Sequence, residues 1–301
     1  MHKQIFSNII CFGEVLWDML PTGAQPGGAP LNVAIHLKRH KQNPMLISKV
    51  GVDKNGESLL DFLLKSDVKT DAIQIDNKLP TSTVLVHLDK SKNATYEICA
   101  PVAWDNIYLN EANTDEAKKA DLIIFGSLAL RSQASRTTLF QLLDISKATR
   151  LLDVNLRPPY DKQETVEELL FKSDFIKLND DELFIIASWN NKKGSITELI
   201  NWFMKFYGCN TMCVTRGAHG AVLFIENKLY EHPGFKVNAV DTVGAGDSFL
   251  ASLVANLARN IHPKEALERA CATGAFVASQ KGAVPEYSGI ELEKIINSNK
   301  Q

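Results

Sequence analysis

The chain alternates between short apolar runs and longer stretches in which apolar residues recur every three or four positions. "NIICFG" (8–13), "MLISKVG" (45–51), "ADLIIFGS" (120–127), "TRLLDVN" (149–155), "SDFIKLN" (173–179) and "TMCVTRG" (211–217) are short, β-rich and end in a polar or glycine turn. Strands buried on both faces read this way. Helical periodicity predicts helices over 31–40, 55–65, 133–148, 164–172, 180–188 and 195–207, with two more near 247–259 and 263–280. This alternation predicts an α/β fold, a doubly wound, mostly parallel sheet flanked by helices, as a single domain over residues 1–301. Ligands of such sheets sit beyond the carboxyl ends of the strands.

One region departs from that rhythm. "TSTVLVHLDKSKNATYEIC" (81–99) alternates with period two around a polar turn, which predicts an antiparallel hairpin. With the turn-rich "EVLWDMLPTGAQPGG" (14–28) it predicts a small β-sheet, so segments about 14–28 and 80–104 are inserted in the α/β core. The hairpin is either an edge of the main sheet or a lid over a ligand.

Composition narrows the function classes. A net charge of −2 gives no reason to expect a nucleic-acid or membrane partner. No apolar run is long enough to span a bilayer. Ile5 to Phe12 suits a first strand better than a signal peptide, with Ser7 and Asn8 inside it. Five cysteines without a CxxC indicate free thiols in a reducing compartment, so a cytoplasmic location is expected. Cys209 and Cys213 lack a second pair to complete a zinc set. His36 and His40 stand four apart on a predicted helix among Lys38, Arg39 and Lys41, which reads as a solvated face.

The most informative stretch is "DTVGAGDSFLASLVANLA" (241–258). Gly244 and Gly246 allow close backbone approach to an anion, and the apolar run behind them predicts a helix whose first amides are unsatisfied. Asp247 at that end is either an N-cap or a group placed there for chemistry. A lone G-x-G before a helix is weak; the third glycine of the dinucleotide fingerprint is replaced by Phe249, and no GxxxxGK[ST] is present.

The whole string is more specific. "DTVGAGDSF" resembles the second signature of the ribokinase-like, PfkB-type carbohydrate kinases, and "GGAPLNVA" (27–34), followed by Gly51 in "KVGVD", resembles the first. "GEVLWD" (13–18), "DVNLRPP" (153–159), "LNDDE" (178–182), "VTRGAHGA" (214–221) and "GAVP" (282–285) extend the resemblance over nearly the whole chain, nearest to the fructokinase branch. It implies a ribokinase-like fold, a β-sheet lid, and ATP-dependent phosphorylation of a monosaccharide at a primary hydroxyl, with D-fructose as first substrate.

By the same resemblance, Asp247 is the catalytic base, and Gly244, Ala245 and Gly246 form the anion hole. Asp18, Gly27, Gly28, Asn32, Asn155 and Arg157 bind the sugar; Arg157 reads alternatively as a phosphate clamp or a surface ion pair. Asn179 and Glu182 match an N-x-x-E motif, in which Glu182 holds Mg²⁺ through water. Asp180 and Asp181 read as solvated first-turn acids. Thr215 and Gly217 touch nucleotide phosphates, and Ala272 and Gly274 line the adenine site, although small residues there also serve helix packing. Asp241 belongs to a monovalent-cation loop, which brings in K⁺. A homodimer through the lid is expected.

Some residues depart from the pattern. Lys41 stands where the first signature has Gly or Ser, with Asn43 available for the turn; Ser252 replaces a small residue; and Cys271 replaces an asparagine common near the base. Trp104 either stacks on a sugar ring or plugs the lid joint. The alternatives are a 2-keto-3-deoxygluconate, ribose or nucleoside kinase of the same fold, a non-catalytic sugar-sensing homologue, and a dinucleotide-dependent oxidoreductase, against which the missing N-terminal G-x-G-x-x-G counts.

Overall fold

The computed structural model describes residues 6–20, 23–88 and 94–298. Residues 89–93 of the expected hairpin turn and 21–22 of the turn-rich segment lie outside the described residues. The chain opens with strand β1 (Ile9–Phe12), the pair β2 (Leu16–Leu20) and β3 (Gly23–Gly27), helix α1 (Ala29–Arg39), β4 (Met45–Gly51), α2 (Lys54–Lys65) and β5 (Ile73–Asp76). The hairpin β6 (Ser82–Leu88) and β7 (Ala94–Ile98) follows. Then come α3 (Glu111–Lys119), β8 (Leu122–Gly126), α4 (Gln133–Ile145), β9 (Thr149–Asp153), α5 (Gln163–Phe171), β10 (Phe175–Asn179), α6 (Asp180–Trp189), α7 (Ile196–Tyr207) and β11 (Thr211–Thr215). A hairpin of β12 (Ala221–Ile225) and β13 (Lys228–His232) precedes α8 (Ala245–Ala258), α9 (Pro263–Ala278) and α10 (Gly289–Ser298).

The main sheet has the order β13-β12-β11-β10-β9-β8-β1-β4-β5, parallel from β11 to β5 and antiparallel at β12 and β13. The chain starts at an interior strand, third from the β5 edge, and winds outward both ways, so β1 and β8 flank a topological switch point, where such sheets bind ligands. Both faces are covered. Along β1, Ile9 and Cys11 join the core under α1, α2, α8 and α9, while Ile10 and Phe12 join the core under α3 to α7.

The second sheet has the order β3-β2-β6-β7, with β2 and β6 parallel and the outer strands antiparallel. The expected hairpin therefore belongs to this lid sheet rather than to an edge of the main one. Trp104 is fully buried where the chain leaves the lid, with the Arg131 guanidinium 4.1 Å from its ring centroid. It plugs the joint and offers no face to a sugar.

Two expectations need correction. His36 and His40 do not form a solvated face: His36 is fully buried and His40 half-buried, because the segment after α9 packs over them. The turn after α1 is not served by Asn43, whose Oδ1 accepts from Lys38 Nζ; Lys41 itself adopts the left-handed conformation at φ 60° that usually favours glycine. Elements without a strong apolar pattern were not legible: α3 ("EANTDEAKK") buries only Asn113 and Ala117, and β13 is largely exposed. Among the described residues no helix is long and apolar enough to cross a membrane.

Candidate active site

The strand ends on one side of the sheet bring the polar motifs together. Asp153 closes β9, Asn179 closes β10, Thr215 closes β11, and Glu14 follows β1. The start of α8 faces them. Gly244 is its N-cap at φ 76°, a left-handed conformation, and a Cβ there would lie 2.7 Å from the Cα of Ala283. Glycine is required on both counts. The helix thus begins with its free amides turned toward the strand ends.

Asp247 is not the N-cap; it lies in the first turn of α8 and is buried. Its Oδ2 accepts from Asn32 Nδ2 at 2.8 Å, so α1 fixes the carboxylate. Burial and the nearby Asp153 push its pKa up to about 6, against the pull of Lys177, Asn32 and Arg157. The Asn32 Oδ1 is buried without a partner among the described residues.

Asn179 and Glu182, the N-x-x-E pair, are reciprocal caps at the start of α6. Asn179 precedes α6, and its Oδ1 accepts from Glu182 N at 2.8 Å, while Glu182 Oε2 accepts from Asn179 N at 2.9 Å. Glu182 Oε1 accepts from Leu156 N at 2.8 Å, tying the β9 loop to α6. Burial raises its pKa. Asp180 is half-buried and Asp181 exposed.

On the lid side, Asp18 lies on β2 opposite Gln25 of β3. A Cβ on Gly27 would fall 2.5 Å from Asp18 Oδ2. Burial pushes the Asp18 pKa up to about 6, opposed by Arg157. Gly28 sits at φ 109°, where a Cβ would fall 2.5 Å from the Glu14 carbonyl oxygen. Asn155 is half-buried in the left-handed region at φ 50°. Arg157 is exposed and donates to the Leu156 carbonyl; its charge acts on Asp18, Glu14 and Asp247, so it faces the site rather than a surface partner.

The remaining residues spread along the β11 side. Thr215 is half-buried and Gly217 exposed at φ 52°. Gly274 packs α9 against α8, since a Cβ there would lie 3.2 Å from the Ala245 carbonyl oxygen. Ala272 is fully buried in the core, which makes it a packing residue and leaves it no surface for adenine. Asp241 ties two loops: Oδ1 accepts from Val243 N at 3.0 Å and Oδ2 from Gly282 N at 3.1 Å.

Three site residues carry no assigned role in the sequence reading. Lys177 on β10 pairs in register with Asp153 on β9, and its Nζ donates to both carboxylate oxygens at 2.8 and 3.0 Å. A Cβ on Gly246 would lie 3.2 Å from that Nζ, so the ammonium lies beside the glycine turn. Burial works against the charge, but Asp153, Asp247 and Glu182 outweigh it and hold its pKa above the usual lysine value. The signal was available: a lysine and an aspartate in two apolar strand runs each need a partner. Glu14 is the third. It is buried with Oε2 unpartnered among the described residues, and burial pushes its pKa up to about 7.

This arrangement brings the Asp247, Asp153, Glu182 and Glu14 carboxylates, a set of free helix amides and the buried Lys177 ammonium together at the strand ends, with the Asp18 carboxylate on the lid sheet. Residues 9–288 match the pfkB family of carbohydrate kinases. A putative sugar kinase of Pyrococcus horikoshii is 32% identical over 266 residues, 84% of this chain and 83% of that protein. Fructokinase-2 of Oryza sativa subsp. japonica is 29% identical over 306 residues, 92% of this chain and 90% of that protein. The crystal structure of a fructokinase with bound ATP from Xylella fastidiosa superposes with a TM-score of 0.84 at 22% identity, covering 98% of this chain and all of that one, 100%.

Proposed function

The chain belongs to the pfkB family of carbohydrate kinases, and on that premise we propose that it transfers the γ-phosphoryl of ATP to a primary hydroxyl of D-fructose. The observation that carries the chemistry is the buried Asp247, held by Asn32 at the amino end of α8 beside Lys177. Phosphoryl transfer asks the protein mainly for positioning and charge stabilisation. Asp247 accepts the proton of the attacking hydroxyl. The amides of Gly244, Ala245, Gly246 and Asp247 face the charge that develops on the phosphoryl oxygens, and the Lys177 ammonium adds a positive charge there. Asp18, with Gly27 leaving room beside it, accepts sugar hydroxyls, and Arg157 orients the far end of the sugar. The lid sheet excludes water from the crevice. Thr215 and Gly217 approach the nucleotide phosphates.

Among the described residues no three carboxylate, histidine or cysteine side chains are placed to hold a metal by themselves. Magnesium bound with a nucleotide takes few protein carboxylates, and Glu182 suits that part, since each of its oxygens accepts only one backbone N–H in the described contacts. Mg²⁺ bound with ATP would neutralise phosphate charge, and Glu182 would reach it through water. Asp241, by joining the 241–243 and 282 segments, would shape a site for K⁺.

The test is ADP release from Mg-ATP, with and without K⁺, over fructose, glucose, ribose, 2-keto-3-deoxygluconate and adenosine. A fructose-dependent signal supports the reading; a signal with another member moves the substrate; silence with all five removes it. Asp18→Ala is expected to weaken sugar binding by about tenfold or more, the worth of a charge-assisted hydrogen bond, with ATP affinity little changed. Calorimetry with each ligand checks this, and unchanged sugar affinity would refute the role of Asp18.

A further inference from the structure

One side of α1 holds the base and also the segment behind the glycine turn. Asn32, His36, Arg39 and His40 are spaced four, three and one apart, which places them on neighbouring faces of the helix. Asn32 donates to Asp247 Oδ2. His36 Nε2 lies 3.0 Å from the Ala283 carbonyl oxygen and Nδ1 lies 2.9 Å from Tyr287 Oη. Arg39 Nη2 donates to the Val284 carbonyl at 2.7 Å, and His40 Nε2 lies 3.4 Å from Tyr287 Oη. Tyr287 stacks on His36 with ring centroids 5.6 Å apart and an interplanar angle of 18°.

These contacts fix the His36 tautomer. A carbonyl oxygen only accepts, so Nε2 carries the proton and Nδ1 accepts from the Tyr287 hydroxyl. Burial keeps the ring neutral, pulling its pKa down to about 3. The held residue, Ala283, is the one against which Gly244 packs, and Gly282 beside it is tied to Asp241.

We propose that His36, in its neutral Nε2–H form, is a positioning residue for phosphoryl transfer: through Ala283 it sets where the Gly244 turn stands relative to the base that Asn32 holds from the same helix. The proposal rests on the reading of Asp247 as base and of Gly244 to Gly246 as anion hole. Four residues of a rigid helix, a rise of about 6 Å, separate Asn32 from His36, so α1 acts as a ruler between base and phosphoryl site. Misplacement by about 1 Å in such a site costs on the order of a hundredfold in rate.

The experiment compares His36→Leu with His36→Gln in the full chain. Leucine removes both hydrogen bonds; glutamine retains a donor at the Nε2 position. His36→Leu is expected to lower kcat by about tenfold or more while the sugar KM stays within about twofold, and to speed hydrogen exchange at residues 244–247 and 282–285. His36→Gln is expected to recover most of both. Wild-type kcat and exchange in His36→Leu, or an equal fall in both variants, would overturn the proposal. A wild-type enzyme silent on every sugar would sink the kinase reading on its own; the exchange comparison would still decide the positioning, with unchanged protection counting against it. Should His36→Leu not fold, Tyr287→Phe, which leaves Nδ1 without its donor, is expected to lower kcat severalfold and speed the same exchange; wild-type values in both would overturn the proposal.

Discussion

Asp247→Asn is expected to lower kcat by at least about a hundredfold while leaving sugar affinity within a few-fold of wild type. The substitution is nearly isosteric. The new amide oxygen can still accept from Asn32 Nδ2, so the geometry seen at 2.8 Å is kept and only the proton acceptor is lost. The pH profile gives a second readout. A base works when ionised, and burial with the Asp153 charge pushes Asp247 up to about 6. The wild-type rate should therefore fall as pH drops through about 6 and level off above it. The variant's small residual rate should lack that limb. Turnover near wild type, measured by ADP release at saturating sugar, would remove Asp247 as the base.

Lys177→Met is expected to damage stability and rate together, and a second variant separates the two. The lysine and Asp153 are both buried, with side-chain exposures of 8% and 5%, so removing the ammonium strands a carboxylate in the interior. Breaking such a pair from one side costs about 3–5 kcal/mol, whereas replacing both partners by neutral groups is often nearly neutral. Lys177→Met with Asp153→Asn should thus recover most of the thermal stability. It should not recover kcat, because the positive charge beside Gly246 is still missing. With that charge gone, one of the groups holding the Asp247 pKa down is lost, although neutralising Asp153 removes one that raises it. In the single variant the acid limb of the rate should consequently move to higher pH. Full recovery of both stability and turnover in the double variant would make the pair purely structural.

Much of the fold was legible because a doubly wound sheet leaves a strong local mark. Strands buried on both faces must be largely apolar, and the helices between them must carry an apolar stripe; β1, β4 and β8 to β11 follow this, with polar residues kept to strand ends or to buried partners such as Lys49 with Asp76 and Lys177 with Asp153. The largely exposed β13 leaves no such mark, and in β5 two of the four residues, Gln74 and Asp76, are polar groups buried with partners, which breaks the apolar run. The lid was half legible. Period-two alternation identifies its hairpin, but the parallel pairing of β2 with β6 joins segments some sixty residues apart, and nothing local encodes that partner.

The site divides the same way. The chemistry class was legible through the resemblance of two contiguous signatures, "GGAPLNVA" and "DTVGAGDSF", whose residues are adjacent in the chain and so need no folding to be read. What surrounds those signatures came from the packed molecule. Asn32 meets Asp247 across 215 residues, Lys177 meets Asp153 by strand register, and His36 is buried under a segment that comes some 250 positions later. A helix pattern shows which residues share a face but not what covers that face, which is why the histidines of α1 read as solvated. Burial, partner and charge state belong to the packed molecule, since each depends on groups that the chain brings together only by folding.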